Sequence, residues 1–438
     1  MLVVENILWL LVLIGVMILV HELGHYCVAR FFDVRIETFS FGFGPRLWGV
    51  RKGETDFRIS AIPFGGYVKM VGEQPGDERT GDPRSFLAKP RWQRLAIAFA
   101  GPFMNAVLAV ALLAGVFMYK YPKPMTADLS ATVGHVMPNS PGAKAGLIEG
   151  DRIVQLDDKS NPTWEDLSIA EFSNATRPLH LVLERGGKRI ETIVTPTLSE
   201  SSGVGYVGWS MQAEIQVVET VPGMPAEKAG LQRGDLLLRI NGQPIRSLLK
   251  FHETVRASGG QPVQLELMRD GKPLSVSIQP VYPADEKRWM IGVGADRRIV
   301  YAQLALPEAV AESVRQNVRG ATLIYELLRG IVARRMSAKS IEGPIRIAQL
   351  SGDAAREGAY TYINLMAAVS LNLAIINLLP IPVLDGGVIL LLLFEMLIRR
   401  DLSMPVKEAV FKFGFVFLLM IMVFAIYNDI SKIIMPAG

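Results

Sequence analysis

The chain has 438 residues, half of them hydrophobic, and a formal net charge of only +4. A charge this small gives no reason to expect a nucleic-acid partner, and a single cysteine excludes an intrachain disulfide framework. Apolar runs lie near both ends of the chain and flank a more polar middle. We therefore expect an α-helical polytopic membrane protein embedded in a lipid bilayer, with a large domain region between two groups of spans.

Four apolar runs are long enough to cross a bilayer, which takes roughly 20 residues per helix. They lie at about 6–27, 94–118, 361–379 and 409–427. A further run, 387–398, predicts a short helix that returns into the membrane. The first run lacks the basic start and the small-residue cleavage site of a signal peptide, so we interpret it as a retained span.

Basic residues flank these runs unevenly. They follow the first run, precede the second and separate the last two: Arg30, Arg35, Arg91, Arg94, Arg399, Arg400 and Lys407. The positive-inside bias places loops 33–92 and 399–407 in the cytoplasm. Both termini and segment 120–358 are then extracytoplasmic, and a multi-pass membrane protein is expected.

The first span contains the sequence His-Glu-Leu-Gly-His at residues 21–25. On a helix, His21 and His25 lie one turn apart on one face, where both imidazoles can bind a single metal ion. Glu22 lies beside them and can act as general base towards water. In a soluble helix two surface histidines would explain the pattern equally well, but an apolar span removes that explanation. The motif therefore predicts a Zn²⁺ site, one ion per chain.

Loop 33–92 contains two runs rich in glycine, phenylalanine and β-branched residues, at 36–50 and 55–70. They predict a membrane-associated cytoplasmic β-hairpin region. An unpaired strand edge there could receive an unwound substrate segment, with Gly65, Gly66 and Tyr67 nearest to it. Anchoring to lipid is the alternative role.

The middle of the chain is an internal repeat with an offset of 84 residues. Ala145-Gly146-Leu147 aligns with Ala229-Gly230-Leu231, and Gly150-Asp151 aligns with Gly234-Asp235. The signature resembles bacterial PDZ domains and predicts two PDZ-like α/β domains, at 128–212 and 213–298. Such domains either bind a peptide by strand addition or act as spacers. No clean carboxylate-binding Gly-hydrophobic-Gly-Phe loop is visible in either.

Segment 299–358 connects these domains to the third span. Its part 307–335 has helical periodicity and several arginines, which indicates an amphipathic linker on the outer membrane surface. Control of substrate entry is an alternative role for it. Residues 1–119 and 359–438 then form the two halves of a membrane catalytic domain.

A third metal ligand has to be found outside the first span. The other three histidines, His135, His180 and His252, lie in the repeat region, so a carboxylate is expected. Asp385 stands between two apolar runs, where an unpaired charge costs roughly 2.5–3.5 kcal/mol. We interpret Asp385 as the third ligand, with a helix cap or an interhelical hydrogen bond as the alternative. Glu395 is a spare candidate, otherwise an interfacial charge near Arg399.

Several motifs carry a family resemblance across essentially the whole chain. The motif at 21–25, AGPFMN at 100–105 and NLLPIPVLDGG at 377–387 resemble the site-2 protease family of intramembrane zinc metalloproteases. IPFGGYVKM at 62–70 and SIEGPIRIA at 340–348 resemble the RseP-type bacterial subgroup, which has two tandem PDZ domains. Val388 is a departure, because a polar or basic residue often follows Leu-Asp-Gly-Gly there.

The resemblance implies an intramembrane protease of regulated proteolysis in the bacterial inner membrane. Its expected substrate is a single-span membrane protein, an anti-sigma factor of envelope stress signalling, already cut once outside the membrane. The resemblance also favours Asn377 over Asn105 and Asn372 as a substrate-binding residue. The alternative is a membrane scaffold that binds peptides through its PDZ-like domains and carries a non-catalytic metal site.

Overall fold

The computed structural model describes residues 2–73, 81–119, 121–124, 131–199, 203–332 and 343–434. By contacts the chain forms two compact units. The first comprises residues 1–121, 303–325 and 341–438, and the second comprises residues 122–302 and 326–340. Residues 128–130, at the start of the first predicted PDZ-like domain, and residues 340–342 of the SIEGPIRIA motif lie outside the described residues.

The elements follow in chain order. The first part contains α1 (Leu2–Phe31), β1 (Ile36–Lys52), β2 (Thr55–Met70), a 3-10 turn (Phe86–Ala88) and α2 (Arg91–Tyr119). Next come β3 (Tyr121–Pro124), β4 (Val133–Val136), α3 (Pro141–Lys144), β5 (Arg152–Leu156), β6 (Lys159–Ser160), α4 (Trp164–Ser173), β7 (Leu179–Arg185), β8 (Lys188–Val194), β9 (Thr197–Leu198), β10 (Gly205–Tyr206) and β11 (Trp209–Met211).

The second repeat contains β12 (Ile215–Thr220), α5 (Pro225–Lys228), β13 (Leu236–Ile240), β14 (Gln243–Pro244), α6 (Leu248–Ala257), β15 (Val263–Arg269), β16 (Lys272–Ile278) and β17 (Val293–Arg297). The last part contains β18 (Ile299–Ala302), α7 (Leu306–Val332), α8 (Pro344–Glu357), α9 (Ala359–Asn377), α10 (Asp385–Leu397) and α11 (Met404–Ile434).

Four helices of the described chain are long and apolar enough to cross a membrane. They are Leu2–Phe31, Arg91–Tyr119, Ala359–Asn377 and Pro405–Ser431. The prediction of four apolar spans is therefore confirmed, whereas the side on which each loop lies stays a prediction. The short helix predicted at 387–398 corresponds to α10, and its return into the membrane stays a prediction.

The helices of the first unit approach closely where small residues face each other. A side chain on Gly24 of α1 would overlap the Ala100 carbonyl of α2. Ser370 of α9 donates a hydrogen bond of 2.8 Å to the Asn105 carbonyl of α2, and the Tyr362 hydroxyl donates one of 2.7 Å to the Trp9 carbonyl of α1. Polar side chains thus join the helices at places where lipid could not satisfy them.

Strands β1 and β2 are long and bent, and together they form a sheet beside α1. Residues 36–41 of β1 pair with 66–70 of β2 on one side and residues 38–41 pair with 56–59 on the other. Residues 48–52 pair with 55–59 in turn. The segment 66–70 therefore lies at one edge of the sheet, and Gly66 there contacts Ile18 of α1.

The two repeats of the second unit have equivalent cores and equivalent ion pairs. Leu181 and Leu265, which are 84 positions apart, are both fully buried. Arg185 donates to buried Asp151 in the first repeat, as Arg269 donates to buried Asp235 in the second, with Nε–Oδ1 distances of 2.7 Å in both.

The first and second repeats also contact each other directly. The ring nitrogens of His135 lie 2.7 Å from Glu149 and 2.7 Å from Glu253, and Glu253 belongs to the second repeat. Both nitrogens of this imidazole therefore have carboxylate neighbours within the second unit.

The segment around the start of α7 contacts the second span. The Leu304 amide donates to the Phe117 carbonyl at 2.9 Å, and the Ser313 hydroxyl donates to the Val110 carbonyl at 2.7 Å. Amphipathic periodicity alone does not specify these contacts. The place of the linker 299–358 on the outer membrane surface stays a prediction.

Candidate metal centre

Two elements far apart in sequence bring three ligand groups together. His21 and His25 lie one turn apart on α1, and Asp385 is the first residue of α10. The His21 Nε2–Asp385 Oδ2 distance is 3.1 Å, the His25 Nε2–Asp385 Oδ1 distance is 3.5 Å, and the two Nε2 atoms are 3.2 Å apart. Both imidazoles are buried. The predicted trio thus converges on one point.

The distances between these groups fit a tetrahedral metal ion. Zinc bonds of about 2.0–2.1 Å to nitrogen and oxygen give ligand-to-ligand separations of roughly 3.3–3.4 Å. Two imidazole lone pairs and a carboxylate cannot face each other in a buried site without a cation or protons between them. His21, His25 and Asp385 therefore form a donor set that a zinc ion would satisfy, as their atoms all lie within 4.8 Å of one another.

The remaining imidazole nitrogens have partners on α2 that orient both rings. His25 Nδ1 lies 2.8 Å from the Ile97 carbonyl, to which it donates, and His21 Nδ1 lies 3.2 Å from the side-chain amide of Asn105. Asn105 is fully buried, and among the described residues no donor reaches its Oδ1. If the amide turns its oxygen to a protonated His21 Nδ1, that oxygen is satisfied and Nε2 is left free for metal.

Gly101 explains why α2 can approach the histidines. A Cβ atom on Gly101 would overlap His25 Nε2 and would lie 2.8 Å from His21 Cε1. The glycine of the AGPFMN motif therefore leaves the space that the two imidazoles occupy. The motif alone does not predict this role, because only tertiary packing brings residue 101 to residues 21 and 25.

Glu22 lies between the metal ligands and the edge of the β-sheet. Its carboxylate accepts a hydrogen bond from the Val68 backbone amide, and its Cγ lies 3.3 Å from the position of a Cβ on Gly66. The sheet edge 66–70 thus borders the carboxylate that can move protons. A peptide added to this edge would run past the same carboxylate.

A cavity of about 1320 Å³ opens at this site in the first unit. It is lined by the ligands and Glu22, and further by Tyr67, Asn377 and Val388. Of the three sheet residues predicted to bind substrate, Tyr67 lines the cavity, Gly66 packs against α1, and Gly65 has a φ of 118° beside the Phe43 ring. Asn377 reaches the cavity, whereas Asn372 is exposed on α9.

The break between α9 and α10 positions Asp385. Helix α9 ends at Asn377, and α10 begins at Asp385 after a turn that contains Pro380 and Pro382. A Cβ on Gly386 would overlap the Leu379 carbonyl, and one on Gly387 would overlap the Ile381 carbonyl. The two glycines let the new helix start against the turn, so that its first side chain reaches α1.

The expected role of Glu395 as an interfacial charge near Arg399 is wrong. Glu395 is fully buried, and its Oε1 lies 2.7 Å from Lys407 Nζ of α11. The same oxygen accepts a hydrogen bond of 2.9 Å from the Leu402 amide, and Arg94 of α2 lies 3.9 Å from Oε2. Glu395 joins α10 to the start of the last span and does not reach the ligand cluster.

A buried His-His-Asp cluster with an adjacent glutamate, set among apolar helices, defines a membrane-embedded metallohydrolase. The sequence model of Peptidase family M50 matches residues 9–421, and the chain belongs to this family, the site-2 protease family of zinc metalloproteases. The predicted resemblance and the predicted class of enzyme are thereby confirmed.

Relatives match over nearly the whole length of the chain. The chain is 31% identical to the protease RseP of Yersinia pestis, over 98% of this chain and 100% of that protein. It is 31% identical to the regulator of sigma-E protease RseP of Escherichia coli K12, over 97% and 98% of the two chains. A solved PDZ domain of the SdrC-like protein from Listeria monocytogenes covers 20% of this chain and 90% of its own, with 20% identity and a TM-score of 0.18.

Proposed function

We propose that this chain hydrolyses a peptide bond within or near the transmembrane segment of a single-span membrane protein. The observation that carries the proposal is the convergence of His21, His25 and Asp385 beside Glu22, in a cavity formed by apolar helices. An enzyme that cleaves soluble substrates would not need its active site among apolar helices. The site residues can act only when the first span packs against the helix break before α10.

Each residue of the site has a distinct role in this proposal. His21, His25 and Asp385 hold one zinc ion per chain, and zinc when bound polarises the scissile carbonyl. The Glu22 carboxylate removes a proton from the attacking water and delivers it to the leaving amine nitrogen. Asn105 and the Ile97 carbonyl hold the two imidazoles in orientation.

The edge of the β-sheet presents the substrate. A helical substrate hides its peptide bonds, so the segment to be cut must first become extended. The edge at 66–70 lies next to Glu22, and the Val68 amide already points at that carboxylate. Substrate added there as a strand would place a carbonyl within the cavity, where Tyr67 and Asn377 line the wall.

The substrate class follows from the relatives. The Escherichia coli relative is named a regulator of sigma-E protease, which supports an anti-sigma factor as substrate and envelope stress signalling as the process. We infer an inner-membrane location, with the site towards the cytoplasm and residues 128–298 outside, where they meet a substrate already cut once. Added protease should then digest residues 128–298 in intact spheroplasts and leave loop 33–92 protected.

The decisive experiment uses Glu22→Gln in the full chain, co-expressed with a tagged single-span anti-sigma factor. The variant should retain zinc and lose cleavage, because glutamine cannot accept the proton. Glu5→Gln, on the same helix but paired with Arg356, is the matched control and should cleave normally. Undiminished cleavage by Glu22→Gln would refute the mechanism, and purified wild-type protein without zinc would refute the ligand assignment.

The strand-addition step has a test of its own. A photo-crosslinking amino acid replaces Tyr67, or Trp48 as control, in the Glu22→Gln background. Trp48 lies in the same sheet but is exposed at residues 48–52, away from the cavity. Crosslinks to substrate at position 67 and not at 48 are expected. Equal crosslinking at both positions would favour a general lipid-anchoring role for the sheet.

The alternative of a membrane scaffold with a non-catalytic metal site makes a different prediction. If the chain is a scaffold, the Glu22→Gln variant should still bind its partner and should have the same effect in the cell as the wild type. The complete set of three ligands and an adjacent general base weighs against it, since a scaffold has no need for Glu22.

A further inference from the structure

Two glutamate side chains occupy backbone amides along the outward side of the sheet edge 66–70. The Val68 amide donates to the Glu22 carboxylate, and the Met70 amide donates a hydrogen bond of 3.2 Å to Oε2 of Glu73. Neither acceptor belongs to β1, which pairs with the other side of this segment. Because the amides of successive strand residues point to opposite sides, residues two positions apart donate in the same direction. The chain's own carboxylates therefore cap both of these outward amides.

Glu73 reaches the edge because the chain turns directly after β2. Gly72 has a φ of 74°, and the turn brings the carboxylate of Glu73 back to the amide three positions before it. Glu73 lines the cavity of the metal centre together with Glu22, Val68 and Met70. The amides of Val68 and Met70 lie about 6–7 Å apart along the strand. The two carboxylates thus mark two successive positions on the path of an added strand.

A substrate segment that adds to this edge needs the same amides. Its backbone carbonyls on one side recur every second residue, so their spacing matches that of the Val68 and Met70 amides. The Glu73 carboxylate occupies the place of one such carbonyl. An ionised acceptor bonds an amide more strongly than a neutral carbonyl does, so the incoming segment meets a competitor at Met70.

The contacts of Glu73 allow it to leave this position. Among the residues that the structure describes, no lysine, arginine or histidine side chain forms an ion pair with Glu73, and its carboxylate is held by the Met70 amide. Release into the water of the cavity therefore breaks one hydrogen bond and no ion pair. A capped edge also protects the enzyme, because an open strand edge pairs with unrelated extended chains.

We propose that Glu73 is a positioning residue that caps the Met70 amide in the free enzyme and gives it up to the substrate. Only an extended segment that gains enough from its other contacts in the cavity replaces the carboxylate. Glu73 thereby sets the affinity of the edge for substrate without contacting the scissile bond. This proposal rests on the strand addition at 66–70 proposed above.

The test uses the full-length protein in detergent in the Glu22→Gln background, which leaves the probe uncut and keeps an acceptor for the Val68 amide. The probe is a fluorescein-labelled peptide with the sequence of the anti-sigma factor's transmembrane segment. Glu73→Met removes the acceptor at similar side-chain length, and Glu73→Gln replaces it by a weaker, neutral one. Glu54→Gln is the matched control, since Glu54 belongs to the same cytoplasmic region but pairs with Arg84 at 2.9 Å.

Two measurements distinguish a cap from a purely structural turn. Without probe, hydrogen–deuterium exchange resolved to single amides should be faster at Met70 in Glu73→Met. Fluorescence anisotropy should show a Kd for the probe that falls roughly tenfold, the value of one charge-assisted hydrogen bond. Glu73→Gln should give an intermediate decrease, and Glu54→Gln should match its background in both measurements. With Glu22 restored, Glu73→Met should lower the KM for the anti-sigma factor, whereas loss of a catalytic group would lower kcat.

An unchanged or raised Kd in Glu73→Met would overturn the proposal, because Glu73 would then only fasten the turn at 70–73. So would unchanged exchange at Met70, or bound probe that protects no amide of 66–70. If Glu73→Met does not fold, Glu73→Gln alone carries the same test through its smaller decrease in Kd. Tighter binding in these variants supports the cap even if the wild type fails to cleave the anti-sigma factor, so the two proposals can fail separately.

Discussion

The side-chain amide of Asn105 lies 3.2 Å from Nδ1 of His21, although the two residues are 84 positions apart. A histidine that binds metal through Nε2 must carry its proton on Nδ1, so the partner of Nδ1 fixes both the tautomer and the ring orientation. Asn105 is thereby part of the metal centre without being a ligand.

Asn105→Leu should weaken zinc binding by roughly 10- to 100-fold, the usual cost of losing such a partner. Asn105→Asp should retain most of the affinity, because a carboxylate oxygen can still accept from Nδ1. Asn372→Leu, which removes an exposed amide on α9, is the control and should bind zinc normally. Zinc affinity is measured by competition with a chromophoric chelator. Wild-type affinity in Asn105→Leu would show that Ile97 and the backbone suffice.

Gly101→Ala should abolish zinc binding, because the new Cβ would overlap His25 Nε2. The helices cannot separate to relieve this contact, since Gly24 packs against Ala100 one position before it. Gly115→Ala on the same helix is the matched control, because a Cβ there meets nothing within 4 Å. Zinc content of the purified proteins is the measurement. A fully loaded Gly101→Ala protein would mean that α1 and α2 pack differently around the site.

The buried pair of Glu395 and Lys407 predicts a strongly asymmetric mutational response. Lys407→Met leaves a buried carboxylate with Arg94, at 3.9 Å, as the remaining cation beside it and the Leu402 amide as a neutral donor. It should cost up to roughly 3–5 kcal/mol of unfolding free energy. Replacing Glu395 by Met in the same variant should restore most of it. Lys412→Met, whose 79% exposed side chain pairs with Glu408, should change little. Denaturant unfolding in detergent measures the free energy of unfolding of each variant. If the loss in the double variant equals the sum of the losses in Lys407→Met and Glu395→Met alone, the prediction is contradicted.

The local sequence pattern was sufficient to predict the half of the metal site that lies on α1. Residues 21, 22 and 25 share a helix, so a spacing of four positions already places both imidazoles on one face. Asp385 could be selected by elimination, because few carboxylates lie in apolar runs. Asn105 and Gly101 could not be assigned their roles, since these depend on how closely two helices approach. Both residues belong to the AGPFMN motif, and the spacing within that motif does not show which neighbouring helix each residue faces.

Sequence proximity was misleading for charges and for the sheet. Arg399 lies four positions from Glu395, yet the chain turns and brings Lys407 to it instead. The two runs at 36–50 and 55–70 predicted hairpins, but not that residues 36–41 would lie between two parts of β2. Alternation of apolar and polar side chains predicts which residues form strands, but not which strand edges remain accessible. In this sheet the accessible edge is segment 66–70, which lies beside Glu22.

The two PDZ-like domains should respond to acid with opposite signs. Burial raises the pKa of Glu171, and the hydrogen bonds from Val207 and Trp209 only partly offset it. Burial also acts to raise the pKa of Asp235, but the Arg269 hydrogen bonds, the Gln232 amide and the charge of Arg269 together outweigh it, and the net shift is downward. Both groups lie outside the spans, so their protonation can follow the pH of the aqueous medium.

The direction of each effect follows from proton linkage. For Glu171, whose folded pKa is raised, stability is greatest below the ordinary value of 4.5 and is lost as pH rises through the folded pKa. For Asp235, whose folded pKa is lowered, stability is present above the ordinary value of 3.8 and is lost as pH falls through the folded pKa. Acidification from neutral pH towards 4.5 should therefore stabilise the first domain and leave the second unchanged.

Exchange of residues 203–211 and 263–269, corrected for intrinsic rates, measures the two domains separately in one sample. Glu171→Gln should abolish the acid stabilisation of the first domain, because no carboxyl group then titrates. Asp235→Asn should lower the stability of the second domain at neutral pH and remove its decline in strong acid. If the first domain instead loses stability between pH 7 and 4.5, the hydrogen bonds from Val207 and Trp209 must favour the ionised Glu171 carboxylate more strongly than burial opposes it. That outcome would contradict the inferred upward shift of the Glu171 pKa.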